Sequence, residues 1–239
     1  MGKKIAFIIA LVCAIIILTG AALFFYFDRI AVGILDKAYN IDIAYKNCSK
    51  SFSGELRFTD LSVVSRATRM GIISKTAGLK PVFKDKHFAV GFNLQDGNFI
   101  KKGGDRSVRY DTLTALVSTP FNSNWKYREI RGLAEPENNG VKIKEFEAIS
   151  DEIRLSVKGD LSYKGMINSD IVIYFADSLT RKIPPEFANV VLSNEKDGWR
   201  SLSVRLSGDP DKPSMQISSK LFRLNIHPDF DRAKSGYVK

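Results

Sequence analysis

Two hydrophobic rhythms divide this chain. From Ile5 to Phe27 it runs 23 residues without a charge, with Lys3 and Lys4 before the run and Asp28 and Arg29 after it. As a helix the run reaches about 34 Å, enough to cross the ~30 Å hydrocarbon core of a bilayer. The spacing therefore predicts a cytoplasmic stub and transmembrane anchor over residues 1–28. Ile30, Ile34 and Leu35, set against Asp36 and Lys37, predict a short juxtamembrane helix over 29–40.

From Ile41 the period changes to two. Ile41, Ile43 and Tyr45 alternate with Asp42 and Ala44, and Leu56 and Phe58 with Arg57 and Thr59, as strands with one apolar face do. The clearest strand carries Phe88, Val90, Phe92 and Leu94 between Ala89, Gly91 and Asn93, and is expected to end at Asp96-Gly97. One of its faces is strongly apolar and the other nearly bare. Val108 to Val117 reads as a further strand, and Val141, Ile143 and Phe146 follow a loop from Pro136 to Gly140. Ile153, Leu155 and Val157 run into Gly159-Asp160, while Ile171, Ile173 and Phe175 oppose Val172 and Tyr174. Leu202, Val204 and Leu206 run into Gly208-Asp209-Pro210; Met215 and Ile217 begin the return, continued by Leu221 to Ile226. Pro184 and Pro185, followed by Phe187, Val190 and Val191, predict a short helix lying against the sheet. The expectation is a mainly β protein, with one β-rich domain over 41–228 forming an antiparallel sheet, with one or two short helices and a polar tail over 229–239.

The N-terminal run competes with a cleaved secretory signal, for which Lys3 and Lys4 would form the charged region. It is too long for one, and Leu23-Phe24-Phe25-Tyr26-Phe27 continues past Gly20, Ala21 and Ala22, where cleavage would fall. An uncleaved anchor from Ile5 to Phe27 is the preferred reading. The residues before Cys13 do not suit a lipoprotein site. Lys3 and Lys4 favour a cytoplasmic N-terminus, with the bulk of the chain in the periplasm or an equivalent outside compartment; a periplasmic domain implies an anchor in the inner, cytoplasmic membrane.

Charge and cysteine content sharpen this picture without naming a reaction. The formal net charge is +10. The densest basic stretch, Arg66, Arg69, Lys75, Lys80, Lys84 and Lys86, lacks an aromatic nucleic-acid motif, so no nucleic-acid partner is expected. It reads either as a surface for anionic headgroups or as a solvated face. Cys13 lies within the anchor and Cys48 beyond it, so the two do not pair within one chain and the domain relies on its core and ladders. Asn47-Cys48-Ser49 fits a glycosylation acceptor, which matters only in a eukaryotic secretory route.

Candidate chemistry is sparse. The two histidines, His87 and His227, have no metal-ligand spacing with Cys48, and no G-x-S-x-G is present. Gly103-Gly104 lacks the G-K-[ST] ending of a phosphate cradle, and Asp151-Glu152 and Asp209/Asp211 sit in turns. The expectation is a protein that is not an enzyme and has no catalytic residue, metal or cofactor. What the alternation supplies is apolar area, which a second layer, a helix or a greasy ligand must cover.

Tyr39-Asn40-Ile41-Asp42-Ile43-Ala44-Tyr45 and Gly54-Glu55-Leu56-Arg57-Phe58-Thr59-Asp60-Leu61-Ser62-Val63, following one membrane helix, resemble the opening of AsmA-like proteins. Ile153 to Asp160, the Ile171 to Phe175 strand, the Pro184-Pro185 helix and Ser203 to Met215 resemble the end of such a protein, or of the related type II secretion N-like proteins. The likeness is one of hydropathy and turns over most of the chain, which is short for the group. It implies a sheet curled into an open half-pipe with an apolar inner face that holds or passes phospholipid. Carried over, the lipid-facing candidates are Phe88, Val90, Phe92, Leu94, Leu155, Val157, Ile171 and Ile173; the same residues equally suit an ordinary sandwich core. Three functions follow: lipid handling in envelope maintenance, with the bilayer and a phospholipid as partners; an assembly subunit of an envelope complex such as a secretion apparatus, with protein partners; and an anchored hydrolase.

Overall fold

The computed structural model describes residues 40–226 apart from 52, 67–68, 85–86, 102–111, 122–124, 163–165, 210–211 and 220. The expected anchor with its ends at Ile5 and Phe27, the juxtamembrane helix and the polar tail thus lie outside the described residues. Among the described residues no helix is long and apolar enough to cross a membrane.

The period-two segments form one antiparallel sheet of 13 strands. In chain order they are β1 (Ile41–Ala44), β2 (Asn47–Lys50), β3 (Leu56–Ser65), β4 (Met70–Lys84), β5 (His87–Lys101), β6 (Tyr127–Glu137), β7 (Gly140–Ile149), β8 (Ile153–Ser162), β9 (Ile167–Phe175), β10 (Ser193–Asn194), β11 (Arg200–Asp209), β12 (Lys212–Ser218) and β13 (Arg223–Ile226). Neighbours in sequence are neighbours in space: the path runs β1-β3-β4-β5-β6-β7-β8-β9-β11-β12-β13, with β2 on β3 and β10 on β11. Short connections between adjacent antiparallel strands explain this order. Among the described residues the α-helices are few and short, α1 (Thr112–Ser118), α2 (Asp177–Thr180) and α3 (Pro185–Val191), and α3 begins with Pro185 in its first turn as the sequence suggests.

Two expectations are corrected. Of the stretch read as a strand over Val108 to Val117, residues 108–111 lie outside the described residues and the rest, from Thr112, belongs to α1 instead. Its Leu113, Leu116 and Val117 recur at helical spacing and lie in or against the core, which outweighs the β-branched character of the segment. The strand expected to end at Asp96-Gly97 runs on to Lys101. Asp96 there adopts a left-handed backbone, φ 51°, and moves the apolar face by one residue, from Phe92 and Leu94 to Gly97 and Phe99.

That shift is one step of a seam. Asp60, Lys75, Asp96 and Arg128 stand opposite one another on β3 to β6, and the ladders on either side skip all four. Asp60 is also left-handed, φ 52°, a conformation aspartate tolerates better than most residues. Core positions change phase at the seam, from Leu56 and Phe58 to Leu61 and Val63 on β3, and from Ile72 to Ala77 and Leu79 on β4. The buried Ser74 hydroxyl donates to Thr76 O at 2.7 Å and to Gln95 O at 2.8 Å, so it serves the carbonyls flanking the skipped pair.

The strands end in two contrasting ways. At one end lie the helices, the β3–β4 turn and the Ser150–Glu152 turn; at the other lie the β2–β3, β4–β5, β6–β7, β8–β9 and β11–β12 hairpins. The helical end carries a buried cluster, with Met70, Val190 and Leu221 exposed around it. Leu116, Val117, Ala188, Val191 and Leu192 join the buried cluster there. Phe99 meets Phe121 at 5.4 Å and Tyr127 at 5.5 Å, and the buried Tyr127 hydroxyl donates to Pro120 O at 2.7 Å.

Candidate functional site

The core-facing residues of neighbouring strands line up in rows across the sheet, so burial can be followed row by row. In the row across the middle of the sheet, Ala77, Leu94, Ile130, Ala148, Leu155, Ile173 and Leu202 are at most 8% exposed. In the next row Leu79, Phe92, Phe146 and Val157 are only half-buried, while Ile171, Val204 and Ile217 are covered. Towards the hairpins come Val90, Ala134, Ile143, Leu206 and Met215, all half-buried. At the tips Phe83 is 78% exposed, Phe88 44%, Leu161 43% and Met166 52%. One apolar face is thus covered along its central row and half-open beyond it toward the hairpins, while Met70 beside the β3–β4 turn is also 42% exposed. Seven strand spacings of roughly 4.8 Å take it about 34 Å along the sheet from β4 to β12.

Close backbone approach keeps the open part shallow at its centre. Phe92 packs at a ring distance of 6.0 Å from Phe146, and its ring rests on Gly132. A Cβ at Gly132 would lie 2.5 Å from that ring and 2.4 Å from Glu145 O, so no larger residue fits.

The eight residues singled out from the sequence all lie on strands of this sheet, but in different surroundings. Leu94, Leu155, Ile171 and Ile173 are in the sealed core, with Leu155 opposite Ile173 and Val157 opposite Ile171. Phe92 and Val157 pack against that core while remaining half-open. Val90 and Phe88 lie outside the cluster, toward and at the tip, where Phe88 meets Phe83 at 5.3 Å. The hairpin residues Phe83, Leu161 and Met166 escaped sequence reasoning because each flanks a turn, where alternation gives out; their apolar character beside turn residues was the available signal.

The opposite face is more polar, although Val82 and Leu133 also line it. The nearly bare side of β5 does not remain open throughout: Ala89 is buried, while Gly91 and Asn93 help to floor a depression of about 590 Å³ with Gly78, walled by Glu55, Lys80, Arg131 and Glu147. Its charges are largely satisfied within the wall. Arg131 donates to Glu147 at 2.8 Å, which holds the guanidinium above its ordinary pKa, and the Arg57 hydrogen bond holds Glu55 below the usual carboxylate value. Asn93 donates to Glu129 at 2.8 Å and accepts from Gln95 at 2.6 Å.

The basic stretch noted in the sequence is divided by the fold. Arg66 and Arg69 stand at the helical end, with Arg66 bonded to Asp42 at 2.7 Å; Lys75 is on the seam, and Lys80 lies toward the hairpins. Exposed His87, at the β4–β5 tip, has Nδ1 3.5 Å from Glu135. Among the described residues no group of three or more His, Cys, Asp or Glu side chains is placed to hold a metal ion; His227 lies outside them. No protein-family model, curated protein or solved structure matches the chain.

Proposed function

We propose that this is a membrane-anchored, non-enzymatic envelope protein whose curved sheet holds or passes phospholipid acyl chains on its apolar face, with the anchor in the inner membrane and the sheet in the periplasm. The observation that carries the reading is the burial gradient. A sheet evolved only to enclose a core has no reason to leave Leu79, Phe92, Phe146 and Val157 half-open in a continuous row that leads to exposed Phe83, Phe88 and Leu161. An acyl tail reaches about 15 Å, half the hydrocarbon core, and the half-open row from Leu79 on β4 to Val157 on β8 spans four strand spacings, about 19 Å, so it accommodates one lying across those strands. The AsmA-like pattern of the sequence agrees with this use.

An assembly subunit of an envelope complex is the second reading. One observation favours it: among the described residues the outer edges of β1–β2 and of β13 pair with no further strand, and such edges accept a partner's strand.

Mass spectrometry of lipid bound to the purified full chain separates the two. Lipid holding predicts stoichiometric phospholipid that falls sharply in Val90→Asp, a variant outside the buried cluster, while circular dichroism stays unchanged. Equal lipid in the two proteins would refute the groove and favour the assembly subunit.

A further inference from the structure

The two outer edges of the sheet are covered unequally. At one, Ile43, Tyr45 and Cys48 pack against the core, and the edge is broken at Tyr45-Lys46 into two four-residue strands, a form that discourages pairing. At the other, Leu224 of β13 stands opposite Ile217, which is fully buried, yet Leu224 itself is 42% exposed. The turn before β13 fixes the phase of its hydrogen bonds. Ser219 N donates to Phe222 O at 3.0 Å, so 219 and 222 are a hydrogen-bonded pair, and the alternation of antiparallel pairs makes Ser218–Arg223 and Gln216–Asn225 the non-hydrogen-bonded ones. The backbone N–H and C=O groups of Arg223 and Asn225 therefore point away from β12, where no strand among the described residues meets them.

We infer that this edge pairs with the same edge of a second copy, β13 antiparallel to β13 about a two-fold axis through Leu224. In that register Arg223 of each copy lies opposite Asn225 of the other, which joins their outward backbone groups in two hydrogen-bonded pairs, while Leu224 faces Leu224 in the closer, non-hydrogen-bonded position. The neighbouring registers are poorer. A slip of one residue sets Leu224 opposite Asn225, apolar face against polar. A slip of two sets Arg223 opposite Arg223 in one direction and opposite His227 in the other, basic against basic. Pairing of β13 with β1 of the next copy leaves an open edge at each end, whereas the two-fold pairing closes. The inference depends on neither reading of the function and adds to both, because the apolar rows that reach Leu224 continue into the second copy.

The test uses the full chain in detergent, with Cys13→Ser and Cys48→Ser so that introduced cysteines report alone. Facing residues in the non-hydrogen-bonded position have Cα atoms about 4.5 Å apart, within disulfide range, whereas the two Asn225 residues would stand roughly 8–9 Å apart, beyond it. Oxidation is thus expected to link Leu224→Cys into a dimer and to leave Asn225→Cys unlinked. Asn225→Pro removes the outward N–H without touching the β12 ladder. It takes two of the four bonds between the copies, so the dimer Kd, read by analytical ultracentrifugation, is expected to rise about thirtyfold with circular dichroism unchanged. Should that variant not fold, the cysteine pair decides alone. A monomeric parent overturns the inference, whether the edge is taken by residues 227–239 or kept for another protein. Linkage at 225 without 224, assemblies larger than two, or a Kd unmoved in folded Asn225→Pro overturn it as well, by pointing to another register, to β13–β1 pairing or to another surface.

Discussion

Leu155 and Leu161 provide an internal comparison, since both lie on the apolar face of β8 and differ chiefly in how far they stand from the helices. Leu155 is 2% exposed and faces Ile173 and Ala148, both at 0%. Leu155→Ala removes three carbons, worth about 0.8 kcal/mol each in transfer, and leaves a cavity that rigid neighbours cannot fill, so the expected loss is about 3–4 kcal/mol. Leu161 is 43% exposed at the tip, where solvent or lipid replaces the lost atoms; Leu161→Ala is expected to cost about 1 kcal/mol or less. Urea titration followed by circular dichroism reads both, with an unchanged slope showing that the same surface unfolds. The aspartate variants widen the contrast: Leu155→Asp should fail to fold and Leu161→Asp should fold. Equal losses at the two positions, or a loss below about 1 kcal/mol at Leu155, would refute the picture of a face covered along its central row and half-open toward the hairpins.

Three further outcomes follow from the site and its supports. Ser74→Ala is expected to destabilise by about 1–3 kcal/mol, measured by the same titration, because it strips the side-chain donor from two carbonyls beside the seam. Gly132→Val should give no soluble folded protein, and adding Phe92→Ala should not rescue it, because the backbone oxygen of Glu145 still occupies the site at 2.4 Å. Lys144 bonds Glu135 at 2.8 Å and holds that carboxyl below its usual 4.5, so its contribution is present above that value and lost as pH falls through the lower folded one; Lys144→Met should flatten this part of the acid limb of stability, read as melting temperature against pH.

How much of this was legible in the sequence depended on whether alternation survived locally. The apolar sets of β8, β9 and β11 were readable because their strands keep one phase from end to end, as Ile171, Ile173 and Phe175 do against Val172 and Tyr174. On β5 the same rule failed at Asp96, where Asp-Gly resembles a turn but a left-handed residue instead carries the strand on in the other phase. The α1 segment misled through its β-branched residues, although Leu113, Leu116 and Val117 already bore helical spacing. The candidate site was half visible: alternation identified an apolar face, yet not that residues of α1 and α3 join the buried cluster at one end of it, since that depends on contacts between segments remote in sequence. The basic stretch looked continuous only along the chain, and the 15-residue β4 carries Lys80 away from Arg66 at the β3–β4 turn toward the hairpin end.

The central claim is that acyl chains occupy the half-open part of the apolar face. A photoreactive benzophenone side chain placed at Val157 in the full chain, irradiated in native membranes, tests it most directly when paired with the same group at Ser203 on the opposite face. The account predicts phospholipid adducts at position 157 and none at 203. Absence of adducts at 157, or equal yields at both positions, would contradict it.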